Sequence, residues 1–309
     1  MKAESAKPWT AEAVLDWARA YQPAAVLAAA ADLEVCGALT DGPRTAAALA
    51  GRLRCDAAGL TTLLDALVAL QFLRKRDRMY QMAAELRSVL TAGGERSVLG
   101  MVQHQANCLR RWAQLAQVIR TGRRPADPTP SVRGESGDLE AFIEAMANVS
   151  APAADDVIRA IRPLQFQHLL DVGGASGTWT LAFLRACPTG VATLFDLPEV
   201  IPLARRCLTH AGLNQRVRLA PGNYLVDPLP QGADLAWVSA IVHQNSRAQN
   251  RRLFTRTFRA LRPDGRIAIR DILMDSTRTR PVAGALFAVN MLVGTEGGGT
   301  FTGNELRHD

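Results

Sequence analysis

The stretch His168-Leu169-Leu170-Asp171-Val172-Gly173-Gly174-Ala175-Ser176-Gly177-Thr178 decides the fold. After His168, Leu169 to Val172 is an apolar run carrying one acid, the composition of a parallel strand buried on both faces. Gly173 to Gly177 then turns tightly into the apolar-periodic segment Thr178–Leu184, which reads as a helix. Small residues at such a turn let a ligand approach the backbone closely. The first N–H groups of the following helix have no partner within it. In a doubly wound α/β sheet, this is how a nucleotide-like group is held at the carboxyl end of the first strand.

A dinucleotide-binding turn needs Gly-x-Gly-x-x-Gly. Counting from Gly173 puts Ala175 and Thr178 at the second and third glycine positions, so that pattern fails. The spacing Asp171-x-Gly173-x-Ala175-x-Gly177 resembles instead the first motif of class I S-adenosylmethionine-dependent methyltransferases, with one glycine replaced by alanine. A second apolar strand, Val191–Phe195, ends at Asp196, where a carboxylate can accept from both ribose hydroxyls of an adenosine.

From Leu164 onward strand and helix alternate, as a parallel α/β sheet requires. The strand candidates are Leu169–Val172, Val191–Phe195, Val217–Pro221, Leu235–Ile241 and Arg266–Ile272, with Trp179–Arg185, Val200–Ala211 and Asn250–Leu261 as crossover helices. Pro263-Asp264-Gly265 is expected to turn just before the fifth strand. The fourth strand delivers Ser239 through Asn245 to the edge where active sites of open α/β sheets lie, and His243 is among them. A strand-end histidine can also simply cap a neighbouring loop; its placement favours chemistry.

The half before Leu164 reads as helical. Ala11–Val35 is Ala- and Leu-rich with a break expected at Pro23 and an end near Gly37. Thr45–Leu53 and Ala57–Leu70 form a helix–turn–helix pair, and Phe72–Met82 reads as a two-stranded ribbon with a charged tip. That order is a winged helix, a shape that often reads DNA. Here the presumed recognition helix, Ala57–Leu70, carries almost no base-reading side chains, and its apolar excess suits burial against a second subunit. Helices are expected at Leu99–Arg120 and Leu139–Ile161, separated by the Pro/Gly-rich linker Gly122–Gly137. On these, His104, Trp112, Phe142, Met146 and Asn148 are equally readable as substrate-facing or as packing residues. The expected domains are 1–98 for dimerisation, 99–163 for a helical substrate lid and 164–309 for the cofactor.

Composition excludes other classes. Apolar residues make up 48% and charged residues 21% of 309, an ordinary globular balance. No apolar run is long enough to span a bilayer, and residues 1–20 lack the order of a signal peptide. The five cysteines, Cys36, Cys55, Cys108, Cys187 and Cys207, have no metal-ligand spacing and predict reduced thiols in a cytoplasmic protein. The net charge of +7 is spread along the chain without aromatic interleaving, which predicts a solvated arginine-rich surface rather than a nucleic-acid or membrane partner.

Several motifs recur in the order and spacing of the plant-type small-molecule O-methyltransferases, the group that includes bacterial tailoring methyltransferases and hydroxyindole O-methyltransferase. They are Asp171-Val-Gly-Gly-Ala-Ser-Gly, Phe195-Asp-Leu-Pro-Glu-Val, Gly222-Asn-Tyr, Ile241-Val-His, Leu261-Arg-Pro-Asp-Gly-Arg and Gly297-Gly-Gly-Thr-Phe-Thr. The resemblance covers nearly the whole chain and implies a class I methyltransferase sheet preceded by a winged-helix dimerisation domain. It implies that S-adenosyl-L-methionine is the cofactor and that the chain forms a homodimer acting on a small-molecule hydroxyl acceptor. Carried over by position, Asp171, Gly173 and Gly177 belong to the cofactor turn, Asp196 to the ribose, and Leu197 to the adenine. Asn223 stands where an Asp is usual, Tyr224 where an apolar residue packs on the adenine, and Ser239 replaces a frequent Lys. His243 matches the catalytic base and Asp271 the acid that orients it. A second acidic orienter falls on Thr300, and the Asp that usually follows the base is Gln244.

These departures leave three readings: an O-methyltransferase, a degenerate relative that binds the cofactor without methylating, and a winged-helix ligand-sensing regulator. The usual sheet of the group also has two further strands beyond the fifth. None is found before Asp309, so the fifth strand is expected to be an exposed edge and the domain a truncated one.

Overall fold

In the computed structural model of the chain, residues 9–124 and 129–309 are described. Part of the linker expected over Gly122–Gly137 therefore lies outside the described residues. The chain divides into two compact units. One holds residues up to Ala106 with Ser131–Glu135, the other Asn107–Pro130 with Ser136–Asp309.

The second unit is built on five parallel strands: β1 (His168–Val172), β2 (Val191–Asp196), β3 (Val217–Pro221), β4 (Ala233–Ser239) and β5 (Leu261–Arg270). Their order across the sheet is β3-β2-β1-β4-β5, so the chain reverses direction between β1 and β4. Such a switch point opens a crevice beyond the carboxyl ends of the central strands. Successive side chains of a strand point to opposite faces. Leu169, Leu235 and Trp237 thus pack on one face with Trp179 and Phe183, while Leu170, Val172, Ala236 and Val238 pack on the other with Leu253 and Ala260. The Trp237 ring lies 5.0 Å from both Trp179 and Phe183, and each such pair adds about 0.5–1.5 kcal/mol to the burial itself. Arg216 donates to the carbonyls of Leu184, Cys187 and Gly190, closing the exposed end of the helix Thr178–Ala186.

The turn expected at Pro263-Asp264-Gly265 lies inside β5. The ladder to β4 shifts register there, between the pairs Ala233–Leu261 and Leu235–Arg266, and Asp264 takes φ +64°. The same residues that end a strand elsewhere here form a bulge, because Leu261 has already paired. The helix expected over Leu99–Arg120 is two, Leu99–Trp112 and Leu115–Thr121, and the one expected from Leu139 begins at Gly134 and runs to Ala160 through Pro152. Among the described residues this sheet has five strands, with β5 at one edge.

In the first unit the helices are Ala11–Arg19, Tyr21–Asp32, Val35–Ala38, Ala46–Leu53 and Ala57–Ala69. The break falls at Ala20, not Pro23. Pro23 sits in the first turn of its helix, where a missing N–H costs nothing. Thr45 and Asp56 cap the helix–turn–helix pair by accepting from the N–H groups of Ala48 and Gly59. The ribbon Leu73–Arg76 and Met79–Met82 closes through Asp77 and Arg78, both at positive φ, and gains a third short strand, Arg44–Thr45. Leu60, Leu64 and Leu67 of the presumed recognition helix are buried in this unit's own core. The helix Ala11–Arg19 buries nothing: Trp9, Leu15, Trp17 and Tyr21 stand exposed along and beside it, Trp17 at 72%.

Candidate functional site

The turn after β1 is shaped by space. Gly173 and Gly177 take φ of +69° and +83°, a region open to glycine, and Ala175 is held at +49°. A Cβ on Gly174 would stand 2.5 Å from Leu194 Cγ, and one on Gly173 would collide with Ile241 Cδ1. The turn therefore lies flat on Leu194 of β2 and on Ile241 just beyond β4, with no room for a side chain at Gly173 or Gly174.

Asp196, at the tip of β2, ties this turn down. Its Oδ2 accepts from Ala175 N at 2.8 Å and its Oδ1 from Leu197 N at 2.7 Å. Burial raises its pKa, opposed by these two N–H groups, and Glu199 adds to the rise. Each oxygen keeps lone-pair capacity, so the carboxylate fits the two adjacent hydroxyls of a ribose. That capacity, with the glycine cradle beside it, suits the cofactor expected from the sequence.

Asp171 lies beneath the turn with 1% of its surface exposed, accepting from Thr180 Oγ1 at 2.6 Å. Its pKa is pushed up to about 7, first by burial and further by Asp196, against the Thr180 hydrogen bond. Leu197 is exposed at the rim. Asn223 turns its Oδ1 back onto Leu225 N at 2.9 Å, shaping the loop after β3. Tyr224 is half-buried; its hydroxyl donates to Asn245 Oδ1 at 3.1 Å, Asn245 Nδ2 donates to Asn250 Oδ1, and Asn250 Nδ2 to the Val242 carbonyl. This buried polar chain links the loop after β3 to the short turn that carries His243.

His243 lies in that turn, Val242–Gln244, immediately beyond β4. Its Nδ1 is 2.8 Å from Asp271 Oδ1 and 2.9 Å from Oδ2, just beyond the end of β5. An ionised carboxylate only accepts, so the proton of a neutral imidazole resides on Nδ1 and the lone pair on Nε2. Asp271 is itself fixed by the Ile272 N–H at 2.8 Å, and the imidazole by the Phe287 ring, edge-to-face at 4.7 Å. Among the described residues, Nε2 has no hydrogen-bond partner. Gly299 N donates to the His243 carbonyl at 2.8 Å, and a Cβ on Gly298 would strike that same carbonyl. Thr300 is buried nearby, and its carbonyl accepts from Arg278. Gln244 turns back onto the Ala240 carbonyl.

The structure thus gathers Gly173, Gly177, Asp171 and Asp196 at the tips of β1 and β2, and Ser239, His243 and Asp271 at the tips of β4 and β5. Trp112 is spent on Asn290, its Nε1 donating at 2.8 Å, and Phe142 packs with Ile143, Val200, Leu203 and Ala175. Sequence reasoning missed Thr180, Asn250 and Phe287, and placed Asn245 at the strand edge without giving it a role. Thr180, a hydroxyl set between Trp179 and Leu181, left a signal, whereas Asn250, set among Gln249, Arg251 and Arg252, left none. Among the described residues no cluster of His, Cys, Asp and Glu suits a metal, and no helix is long and apolar enough to cross a membrane.

Comparison with known proteins extends these observations. Residues 112–304 match the O-methyltransferase domain family, and residues 15–90 match the O-methyltransferase dimerisation domain. The 3-hydroxy-5-methyl-1-naphthoate 3-O-methyltransferase of Streptomyces sahachiroi is 31% identical over 90% of this chain and 82% of its own length. The N,N-dimethyltransferase OxyT of Streptomyces rimosus is 29% identical over 87% of this chain and 80% of its own. The crystal structure of human N-acetylserotonin methyltransferase in complex with S-adenosylmethionine superposes with a TM-score of 0.80 at 26% identity, covering 98% of this chain and 91% of that one.

Proposed function

This chain belongs to the O-methyltransferase family, and from that premise we propose that it methylates a hydroxyl of a small aromatic or polyketide-like metabolite with His243 as general base. It is an S-adenosylmethionine-dependent enzyme of that family. In this reading Asp196 holds the ribose, the turn Gly173–Gly177 and Ser239 receive the methionine end, and Leu197, Asn223 and Tyr224 border the adenine. When bound, the cofactor supplies a methyl group already made electrophilic by its sulfonium.

The remaining task falls to the protein. A phenol with pKa near 10 is mostly protonated, and so a weak nucleophile, at neutral pH. His243 Nε2 accepts the hydroxyl proton as attack proceeds, and Nδ1–H, held by Asp271, keeps the ring in the tautomer able to do so. The carboxylate also stabilises the imidazolium that forms. Phe287 prevents the ring from tilting off line. The observation that carries this reading is the buried His243–Asp271 pair with Nε2 left unbonded at the sheet's carboxyl edge. The direct test is S-adenosylhomocysteine formation with a panel of phenols and hydroxynaphthoates. Binding of S-adenosylmethionine without turnover on any hydroxyl or amine acceptor would favour the degenerate relative instead.

The second part of the proposal is a homodimer. The dimerisation-domain match and the exposed Trp9, Leu15, Trp17 and Tyr21 support it. Light scattering at micromolar concentration should give twice the chain mass, and a monomer would refute it. Five unpaired cysteines fit work in the reducing cytoplasm.

A further inference from the structure

Arg270 is the last residue of β5 and is registered against Ser239, the last of β4. It follows Ile267-Ala268-Ile269, so a cation stands at the carboxyl end of an otherwise apolar run. Its Nη1 donates to Ser239 Oγ at 3.4 Å, long for such a bond, and the guanidinium lies over the Trp179 ring at 5.0 Å. Among the described residues no carboxylate is within ion-pair distance of it. Asp271, next in the chain, spends its oxygens on His243 and Ile272. Burial lowers the pKa of Arg270, while Asp271 pulls it the other way.

A guanidinium has five N–H donors, and among the described residues most of these have no acceptor. Holding that charge partly out of water without a counter-ion costs free energy that a bound anion would offset. The position adjoins the crevice. Trp179 is in the first turn of the helix that follows the glycine turn, and Gly173 packs on Ile241, two residues after Ser239. The Trp179 ring lies against the guanidinium and Ser239 engages Nη1, which leaves Nε and Nη2 as a fork suited to a carboxylate.

We propose that Arg270 anchors the carboxylate of a ligand in this crevice, contributed either by the amino-acid end of the cofactor or by the acceptor. The inference rests on the cofactor site proposed above. It does not require Arg270 to touch the reacting atoms.

Calorimetry separates the possibilities. The probes are S-adenosylhomocysteine, 5′-methylthioadenosine (the same nucleoside without the amino-acid end), and 3-hydroxy-2-naphthoate with its carboxamide titrated into protein saturated with S-adenosylhomocysteine. Arg270→Met should weaken a carboxylate ligand by about 10- to 100-fold and leave 5′-methylthioadenosine within about twofold, with Arg270→Lys recovering part of the loss. A loss for S-adenosylhomocysteine assigns the anchor to the cofactor. A loss for the naphthoate that its amide does not share assigns it to the acceptor. Unchanged affinity for every carboxylate ligand overturns the proposal, as does an equal loss for 5′-methylthioadenosine, which also serves as the folding control. If the parent chain binds neither nucleoside, the cofactor site itself is wrong and the anchor falls with it.

Discussion

The two halves of the sheet's carboxyl edge are constructed differently. At the tips of β1 and β2 the determinants are backbone and space: positive φ at Gly173 and Gly177, no room for a Cβ at Gly174, and N–H groups of Ala175 and Leu197 gripping Asp196. At the tips of β4 and β5 they are side chains: His243 on Asp271, Arg270 on Ser239 and Trp179. The first half is a mould whose shape many atoms enforce together. The second is a set of individual contacts that can be removed one at a time. Changes in the mould should therefore read out as lost binding or lost folding, and changes among the contacts as lost chemistry on an intact fold.

The sharpest way to break this comparison is to cross its two halves. His243→Ala should lower turnover on a hydroxyl acceptor by roughly 10²–10⁴, the usual worth of a positioned base, with S-adenosylmethionine affinity near that of the parent. Near-parental turnover would exclude base catalysis and leave positioning alone to explain the rate. Asp196→Ala should do the reverse, costing about 10²-fold in cofactor affinity through lost charge-assisted hydrogen bonds. Calorimetry that finds no change would remove Asp196 from the ribose. Asp271→Asn should cost roughly tenfold in turnover, less than His243→Ala, because the base remains and only its orientation and counter-charge are lost.

The same asymmetry explains what was legible in the sequence. A strand, a turn of small residues and an acid at the next strand tip are local patterns, and all three lie where the sequence placed them. His243 and Asp271 were legible as a pair through the family resemblance; the 2.8 Å contact between them depends on β4 and β5 being neighbours, which spacing alone does not dictate. Phe287 comes from the helix Val282–Gly294, whose sequence is apolar nearly throughout, so nothing distinguishes the residue that meets the imidazole from those that pack elsewhere. The break at Ala20 was hidden because proline is tolerated in a first turn, and the bulge in β5 because Pro-Asp-Gly has the same composition in a turn and in an irregular strand.

Asp171 tests whether the mould contains a carboxyl that serves the fold rather than the ligand. Buried beneath the turn, it keeps its proton up to about pH 7 in the native state, against the ordinary value of 3.8 in the unfolded chain. Across that window the native state binds more protons than the unfolded one, so this residue lowers stability as pH rises from about 4 to 7 and then holds the full penalty above it. Asp171→Asn keeps an acceptor for Thr180 Oγ1 and removes the ionisable group. The variant should melt a few degrees higher than the parent at pH 8, and the two should converge as pH falls toward 4. Cofactor affinity should change far less than in Asp196→Ala, since Asp171 has almost no exposed surface. Parallel melting curves at every pH would show that Asp171 is ionised in the fold. A loss of affinity matching that of Asp196→Ala would place both carboxylates on the ligand and remove the distinction between them.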